Sequence, residues 1–135
     1  MKLLVDINVV LDVVLKRHPW MADAARVLTE IDTGAATGYV AGHTLTTAHY
    51  VMAKAQGSQA ATIAIADLLR FLEVVAVEKT DFLQAIALGL SDFEDAVQAA
   101  CALKVGVDYI VTRNEKDFAG LPIPARSSGE ILALL

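Results

Sequence analysis

Two runs of the sequence set the architecture: SDFEDAVQAA at residues 91–100 and VDYIVTRNEKDF at residues 107–118. The first predicts the start of a helix, and the second predicts a buried strand followed by a polar turn. Carboxylates occur at the start of the predicted helix and in the polar turn after the predicted strand. We therefore interpret the rest of the chain as a scaffold that brings one further carboxylate, Asp6, to the same place.

Length and composition indicate a single domain over residues 1–135. Hydrophobic residues make up 56% of the chain and the mean hydropathy is +0.52, which favours an apolar patch left over for a partner. No apolar run reaches the roughly 18 residues of a membrane span, so no membrane partner is expected. The N-terminus lacks the pattern of a signal peptide, and we expect a cytoplasmic protein.

The net charge of −5 argues against a broadly basic clamp for nucleic acid. This charge is still compatible with an enzyme that binds nucleic acid through a few basic residues and metal ions. Cys101 is the only cysteine, so no intrachain disulfide forms, and we expect a small buried side chain there.

Strands alternate with helices along the whole chain, which predicts a parallel sheet with helices on both faces. The predicted strands are residues 2–5, 39–41, 74–77 and 109–111, with a last extended piece bracketed by Pro122 and Pro124. The predicted helices are residues 9–17, 20–32, 44–55, 59–72, a helix from 79 or 80 to about 88, 92–104, about 115–118, and 130–134. The helix starts are assigned from Asn8, Ser58 and Ser128 as caps and from Pro19 in a first turn.

Ligands of open parallel sheets bind beyond the carboxyl ends of the strands, where the strand order switches. Asp6 follows the first strand, and Asn114 and Asp117 follow the fourth. Asp92 and Asp95 are three residues apart, on one face of a helix start that favours negative charge. Carboxylates that converge without arginine repel one another, and Mg²⁺ or Mn²⁺ resolves that repulsion through oxygen ligands.

Simpler interpretations exist for most of these acids. Asp92 can be a helix cap with Asp95 as its capping-box partner. Asp12 is expected to be a surface acid or one paired with a neighbour, and Thr112 is either a site residue or a plain strand end. Three further acids are expected to be solvated: Glu94, Asp108 and Glu115.

Three segments together resemble the PIN domain, and more narrowly the bacterial PIN proteins of the VapC-like toxin group. They are LVDINVVLD at residues 4–12, DFEDAVQ at 92–98 and YIVTRNEKDF at 109–118. The resemblance covers the whole chain in length and in the order of elements. It implies a Rossmann-like three-layer α/β/α sandwich with a parallel sheet of four or five strands. It also implies a ribonuclease that uses Mg²⁺ or Mn²⁺.

The resemblance also implies roles for individual residues. Asp6 and Asp95 match the first and third acids of the family. The fourth matches Asn114 by its place after Thr112, with Asp117 as a near substitute. The implied metal ligands are therefore Asp6, Asp95 and Asp117, and Asp92 is either an added acid or one in the outer shell.

One departure from the family pattern concerns the second acid, usually a glutamate in the helix after the second strand. Our alignment places Thr47 there. Its hydroxyl cannot supply the missing charge, but it can hold a water molecule or the substrate. Two histidines near this position, His43 and His49, are expected to be packed or partly exposed side chains rather than catalytic ones.

The mechanism that follows is in-line attack of an activated water on phosphorus. In this hypothesis Asp92 orients the water and Asn8 forms a hydrogen bond near the first acid. Arg113 contacts a phosphate, and so do Lys16 and Arg17. The simpler interpretation, which we favour for each of these basic residues, is a solvated side chain.

Two other functions stay open. The segment DINVV at residues 6–10 is close to the opening motif of haloacid-dehalogenase-type phosphatases, with Asp6 as the nucleophile, although Asn8 cannot transfer protons. The chain can also be a PIN fold that has lost turnover and acts by binding RNA or a protein. By analogy with toxins of this kind, a small antitoxin and a second copy of the chain are the expected protein partners.

Overall fold

The computed structural model describes residues 1–135 and contains five strands, seven α-helices and one 3-10 turn. The strands are β1 (Lys2–Val5), β2 (Thr37–Ala41), β3 (Leu72–Val75), β4 (Tyr109–Val111) and β5 (Ala125–Arg126). The helices are α1 (Ile7–Val14), α2 (Met21–Asp32), α3 (Gly42–Gln56), α4 (Ser58–Leu69), α5 (Lys79–Leu88), α6 (Phe93–Val105) and α7 (Ser128–Leu134). The 3-10 turn covers Glu115–Phe118.

All five strands are parallel, in the order β3-β2-β1-β4-β5. β1 lies at the centre, with Leu4 opposite Tyr39 of β2 and opposite Ile110 of β4. The chain places β2 and β3 on one side of β1 and then β4 and β5 on the other side. The direction of strand addition therefore switches between β1 and β4. This switch is where an open parallel sheet has its crevice.

Side chains of β1 alternate between two apolar cores, because neighbouring residues of a strand point to opposite faces. Leu3 and Val5 belong to the larger core, formed with α1, α2, α3, α4 and α7. Leu4 belongs to the second core, which includes Cys101 of α6 and Phe118. The predicted three-layer α/β/α sandwich is therefore confirmed, and Cys101 is buried as expected.

Several boundaries differ from the sequence prediction. Asp6, and not Asn8, precedes the first helical residue, because β1 runs directly into α1. That helix ends at Val14, three residues before the predicted end. Pro19 lies outside α2, which begins at Met21.

The last strands and helices also shift. β3 begins at Leu72, which was expected to end a helix, and Leu72 pairs with Gly38 of β2. A Cβ atom at Gly38 would lie 2.7 Å from the Ile31 side chain and 2.8 Å from that of Leu72, so a larger residue would force these side chains to shift. The last strand follows Pro124 rather than lying between the two prolines, and Ser127, not Ser128, caps α7 by accepting a hydrogen bond from the Glu130 amide.

The prediction for β4 agrees with the structure to the residue, α5 begins at Lys79, one of the two predicted starts, and the 3-10 turn lies where the short helix was predicted. None of the helices combines the length and apolar character needed to cross a membrane.

Candidate active site

Asp6 lies at the carboxyl end of β1, where its backbone N–H donates to the Val111 carbonyl at 3.0 Å. Its side chain is 2% exposed. One carboxylate oxygen accepts from Gln98 Nε2 at 2.9 Å and the other from Thr112 Oγ1 at 3.0 Å. Burial raises the pKa of Asp6, and these two hydrogen bonds oppose that rise. The carboxylate is thus fixed between β1, β4 and α6.

Thr112 connects the first acid to the loop after β4. Its buried hydroxyl donates to Asp6 and accepts from the Asn114 backbone N–H at 3.0 Å. The 3-10 turn that follows holds Asp117 on an exposed position. The polar end of β4 is therefore tied to the polar end of β1 through one threonine.

The start of α6 supplies two more acids. Asp92 is the helix cap, and its Oδ1 accepts from the Asp95 backbone N–H at 2.9 Å. The simpler interpretation of Asp92 as a cap is therefore correct. The Asp95 carboxylate instead faces Gln98, whose Nε2 lies 3.4 Å from its Oδ1.

The charge around Asp95 shows how closely the acids converge. Burial is the largest cause that raises the pKa of Asp95 to about 7, and the charge of Asp6 is the next. Three further carboxylates act in the same direction: Asp92, Asp117 and Glu94. Acids from β1, α6 and the 3-10 turn therefore form one electrostatic cluster.

A groove of about 460 Å³ runs over this cluster. It brings together most of the predicted site residues. Its lining is Ile7, Asn8, Leu11, Arg17, Thr47, Val51, Asp92, Glu94, Asp95 and Asp117. Thr47 thus lies beside the acids, and its hydroxyl donates to the His43 carbonyl of its own helix at 3.3 Å.

Arg113 is placed differently from the prediction of a phosphate contact. Its Nε lies 3.1 Å from Asp12 Oδ2, and its guanidinium lies 3.8 Å from the centre of the Trp20 ring. It lines a neighbouring cavity of about 280 Å³ and not the acidic groove. Because Asp12 is buried, the expectation of a neighbour-paired acid holds and that of a surface acid does not. Arg17 is the basic residue that lines the groove.

The remaining side chains near the site are mostly packed. His43 Nε2 lies 3.2 Å from the Glu94 carbonyl, and His49 Nε2 lies 3.0 Å from Thr62 Oγ1. Glu94 is half-buried rather than solvated, whereas Asp108 and Glu115 are exposed as expected.

Gln98 is the residue that sequence reasoning missed. It is fully buried and contacts both Asp6 and Asp95. A signal was present, because Gln98 follows Asp95 by three residues on a helix whose next residues are alanines and a cysteine. A polar side chain on the same face as a candidate ligand is a candidate partner of that ligand.

The donor chemistry of the site suits a hard divalent cation, since carboxylate oxygens are the ligands that Mg²⁺ and Mn²⁺ prefer. Burial first, and then the neighbouring carboxylates, raise the pKa of Asp95, as expected where negative charges lie together without a counter-ion. The carboxylates are not arranged as a finished coordination shell: no group of three or more His, Cys, Asp or Glu side chains is positioned to hold an ion. The set Asp6, Asp95 and Asp117 stays a prediction.

The sequence matches a family model described as PIN domain over residues 2–116. The chain therefore belongs to the PIN domain family. A comparison with curated protein sequences gives no significant match.

Solved structures with this fold include several toxins. The VapC20 structure from Mycobacterium tuberculosis, titled a sarcin-ricin loop cleaving toxin, is 18% identical with a TM-score of 0.73, covering 88% of this chain and 95% of that one. VapBC2 from Rickettsia felis, bound to a promoter DNA fragment, is 17% identical with a TM-score of 0.75, covering 94% and 98%. A toxin-antitoxin complex from Klebsiella pneumoniae is 20% identical with a TM-score of 0.69, covering 93% and 96%. At these identities the likeness establishes the fold.

Proposed function

We propose that the protein is a Mg²⁺- or Mn²⁺-dependent endoribonuclease and the toxin of a type II toxin–antitoxin pair. The observation that carries the proposal is that Asp95 and Asp117 line one groove at the switch point of the sheet, while Gln98 contacts both Asp95 and the buried Asp6. Membership of the PIN domain family and the toxin titles of similar structures support it.

Asp6, Asp95 and Asp117 would hold the ion, which when bound supplies an acidified water and stabilises charge on a phosphate. Asp6 is kept in place by hydrogen bonds from Thr112 and Gln98. Asp92 is exposed at the rim, with one oxygen occupied by its capping bond, and would orient the attacking water through the other.

The acidic groove has a single basic side chain in its lining with which to bind RNA. Arg17 lines it and would contact a phosphate, and Asn8 lies on the same wall. Thr47 removes one negative charge compared with the usual glutamate. We therefore expect weaker metal affinity than in members with four acids, because fewer charges attract the cation.

We place the two proposed protein partners on apolar surfaces of this chain. A groove of about 320 Å³ between α1, α2 and α4 is lined mainly by hydrophobic side chains, including Val14, Leu28 and Phe71, and would receive a segment of an antitoxin. Exposed apolar side chains on α5 and at the start of α6, such as Ile86 and Phe93, would pack against a second copy. An enzyme acting on cellular RNA would work in the cytoplasm.

A second candidate function is a binding module without turnover, which Thr47 favours because the site lacks one acid. The phosphatase alternative finds less support, because Asn8 stands where that motif needs a second acid to transfer protons.

The test is cleavage of a mixed RNA substrate with Mn²⁺ and with EDTA. We expect cleavage with Mn²⁺ only, and its loss in Asp95→Asn. Asp67→Asn, an exposed acid on α4 outside the groove, is the matched control and should cleave normally. Cleavage that persists in EDTA or in Asp95→Asn contradicts the proposal. Tight RNA binding without cleavage by the wild type favours the binding module.

A further inference from the structure

We propose that Gln98 is a positioning residue whose side-chain amide bridges Asp6 and Asp95 and fixes the spacing of the two carboxylates. The inference deepens the proposed function, because it rests on these acids forming the ion-binding site. It concerns a residue that touches neither the solvent nor the groove.

The contacts of Gln98 define the bridge. Its Nε2 lies 2.9 Å from Asp6 Oδ1 and 3.4 Å from Asp95 Oδ1. A side-chain amide nitrogen carries two hydrogens, so it can donate one to each carboxylate. Asp6 follows β1 and Asp95 belongs to α6, so one amide links the sheet to the helix layer at the site.

The orientation of the amide follows from the chemistry of its neighbours. Gln98 Nε2 faces the two carboxylates, an orientation that suits their ionised forms, because ionised carboxylates only accept hydrogen bonds. The oxygen of Gln98, Oε1, is left buried without a partner. An unpaired buried acceptor costs free energy, and an apolar residue here would avoid that cost. The structure therefore retains an unfavourable group whose compensating contacts are the two to the acids.

A neutral donor suits this place better than a charged one. Lysine or arginine would neutralise the carboxylates and compete with a cation for them. The amide offsets part of their repulsion and leaves their net charge intact. Partners of this kind orient the groups that bind a metal, and their loss typically weakens metal affinity about 10-fold to 100-fold.

The first test measures the bridge without any ion. Urea unfolding midpoints are compared at pH 8 in EDTA for the wild type, Gln98→Met, Asp95→Asn and the double variant. Methionine keeps the length of the side chain but donates no hydrogen bond. We expect Asp95→Asn to raise the midpoint more in the Gln98→Met background, where the repulsion between the two carboxylates is no longer offset. Equal increments in both backgrounds overturn the bridge.

The second test measures Mn²⁺ binding by calorimetry. We expect Gln98→Met to bind at least about 10-fold more weakly than the wild type. Gln84→Met, the same change at an exposed position of α5, is the control and should bind as the wild type does. Gln98→Leu replaces Gln98→Met if the latter fails to fold. Wild-type affinity in a folded Gln98 variant overturns the positioning role.

The two tests separate this inference from the proposed function. A wild type that binds no Mn²⁺ contradicts the metal-dependent nuclease, and the unfolding comparison still decides whether Gln98 bridges the two acids. Wild-type binding that is unchanged by Gln98→Met leaves the nuclease proposal standing and removes Gln98 from it.

Discussion

The hydroxyl of Thr112 donates a hydrogen bond of 3.0 Å to the buried carboxylate of Asp6. This bond joins the ends of β4 and β1, the two strands between which the strand order switches. It connects two residues that are 106 positions apart, and both side chains are buried. The site therefore depends on the central strand pair for its geometry.

Thr112→Val tests this connection. The substitution keeps the shape of the side chain and removes the hydroxyl, so the buried carboxylate loses one of its two side-chain partners and the Asn114 backbone N–H loses its acceptor. We expect the free energy of unfolding to fall by about 2 kcal/mol, since the bond is made to a charged group. Urea unfolding measures the change. Thr33→Val, at an exposed hydroxyl bonded only within its own helix, should change stability by less than about 0.5 kcal/mol. Equal effects of the two substitutions would refute the structural role of Thr112.

The ion pair of Arg113 with Asp12 gives a second prediction. Asp12 is 2% exposed in its side chain and lies 3.1 Å from Arg113 Nε. Arg113→Met leaves that buried acid with only Arg17, 3.9 Å away, as a counter-charge. We expect a loss of about 2–3 kcal/mol, reduced from the full cost of breaking a buried pair because Arg113 is partly exposed.

The control for Arg113→Met is Arg70→Met, which breaks an ion pair whose members are both about two-thirds exposed. We expect a change within about 0.5 kcal/mol there, because exposed pairs contribute little. Chemical unfolding of both variants against the wild type compares them directly. A loss at Arg113 no larger than at Arg70 would show that the buried pair does not support the loop after β4.

The pH dependence of stability follows from Asp95, whose pKa burial and neighbouring carboxylates raise to about 7. A carboxyl with a raised pKa binds its proton more tightly in the folded state than in the unfolded state. Metal-free protein should therefore lose stability as pH rises from about 4, the unfolded pKa, to about 7, where Asp95 ionises. The raised pKa of Asp6 acts with the same sign.

Asp95→Asn removes the Asp95 contribution to this pH dependence. In EDTA, the unfolding midpoint of the variant should change less between pH 5 and pH 8 than that of the wild type, and at pH 8 the variant should be the more stable. The lowered pKa of Asp81, caused first by its hydrogen bond from Lys104, affects stability only below about pH 4 and does not interfere. Identical pH profiles for variant and wild type would contradict the crowding of acids around Asp95.

Thr47→Glu should strengthen the site. Thr47 lines the groove with Asp95 and Asp117, so a glutamate there adds a carboxylate facing the same space. We expect tighter Mn²⁺ binding and faster RNA cleavage, since an added charged oxygen ligand raises affinity for a hard cation. The control is Thr46→Glu, at the exposed neighbouring position of the same helix. Equal gains at both positions would indicate a general charge effect rather than a completed site.

The sequence predicted those features that depend on local signals. β4 and the turn after it are marked by a short β-branched run followed by polar residues, and α5 is bounded by Lys79 and by Gly89, which adopts a left-handed conformation. The acids were found because Asp6 and Asp117 follow strands that had to be parallel and buried. These inferences needed no knowledge of long-range contacts.

The features missed are those that tertiary contacts decide. The stretch from Leu72 to Val77 is apolar except for Glu73 and contains no glycine or proline to mark where a strand begins or ends, so the bounds of β3 are set by its pairing with β2. The partner of Asp12 is Arg113, about a hundred positions away, and no local pattern indicates that contact. Gln98 was overlooked because its role appears only when β1 and α6 are brought together.

The central claim is that oxygen ligands from β1, α6 and the turn after β4 share one ion. Diffraction at the manganese absorption edge, from crystals grown with Mn²⁺, measures this directly. The account predicts an anomalous peak within ligand distance of Asp6, Asp95 and Asp117, and its absence from Asp95→Asn crystals. A well-ordered wild-type structure with no peak at these three carboxylates would contradict it.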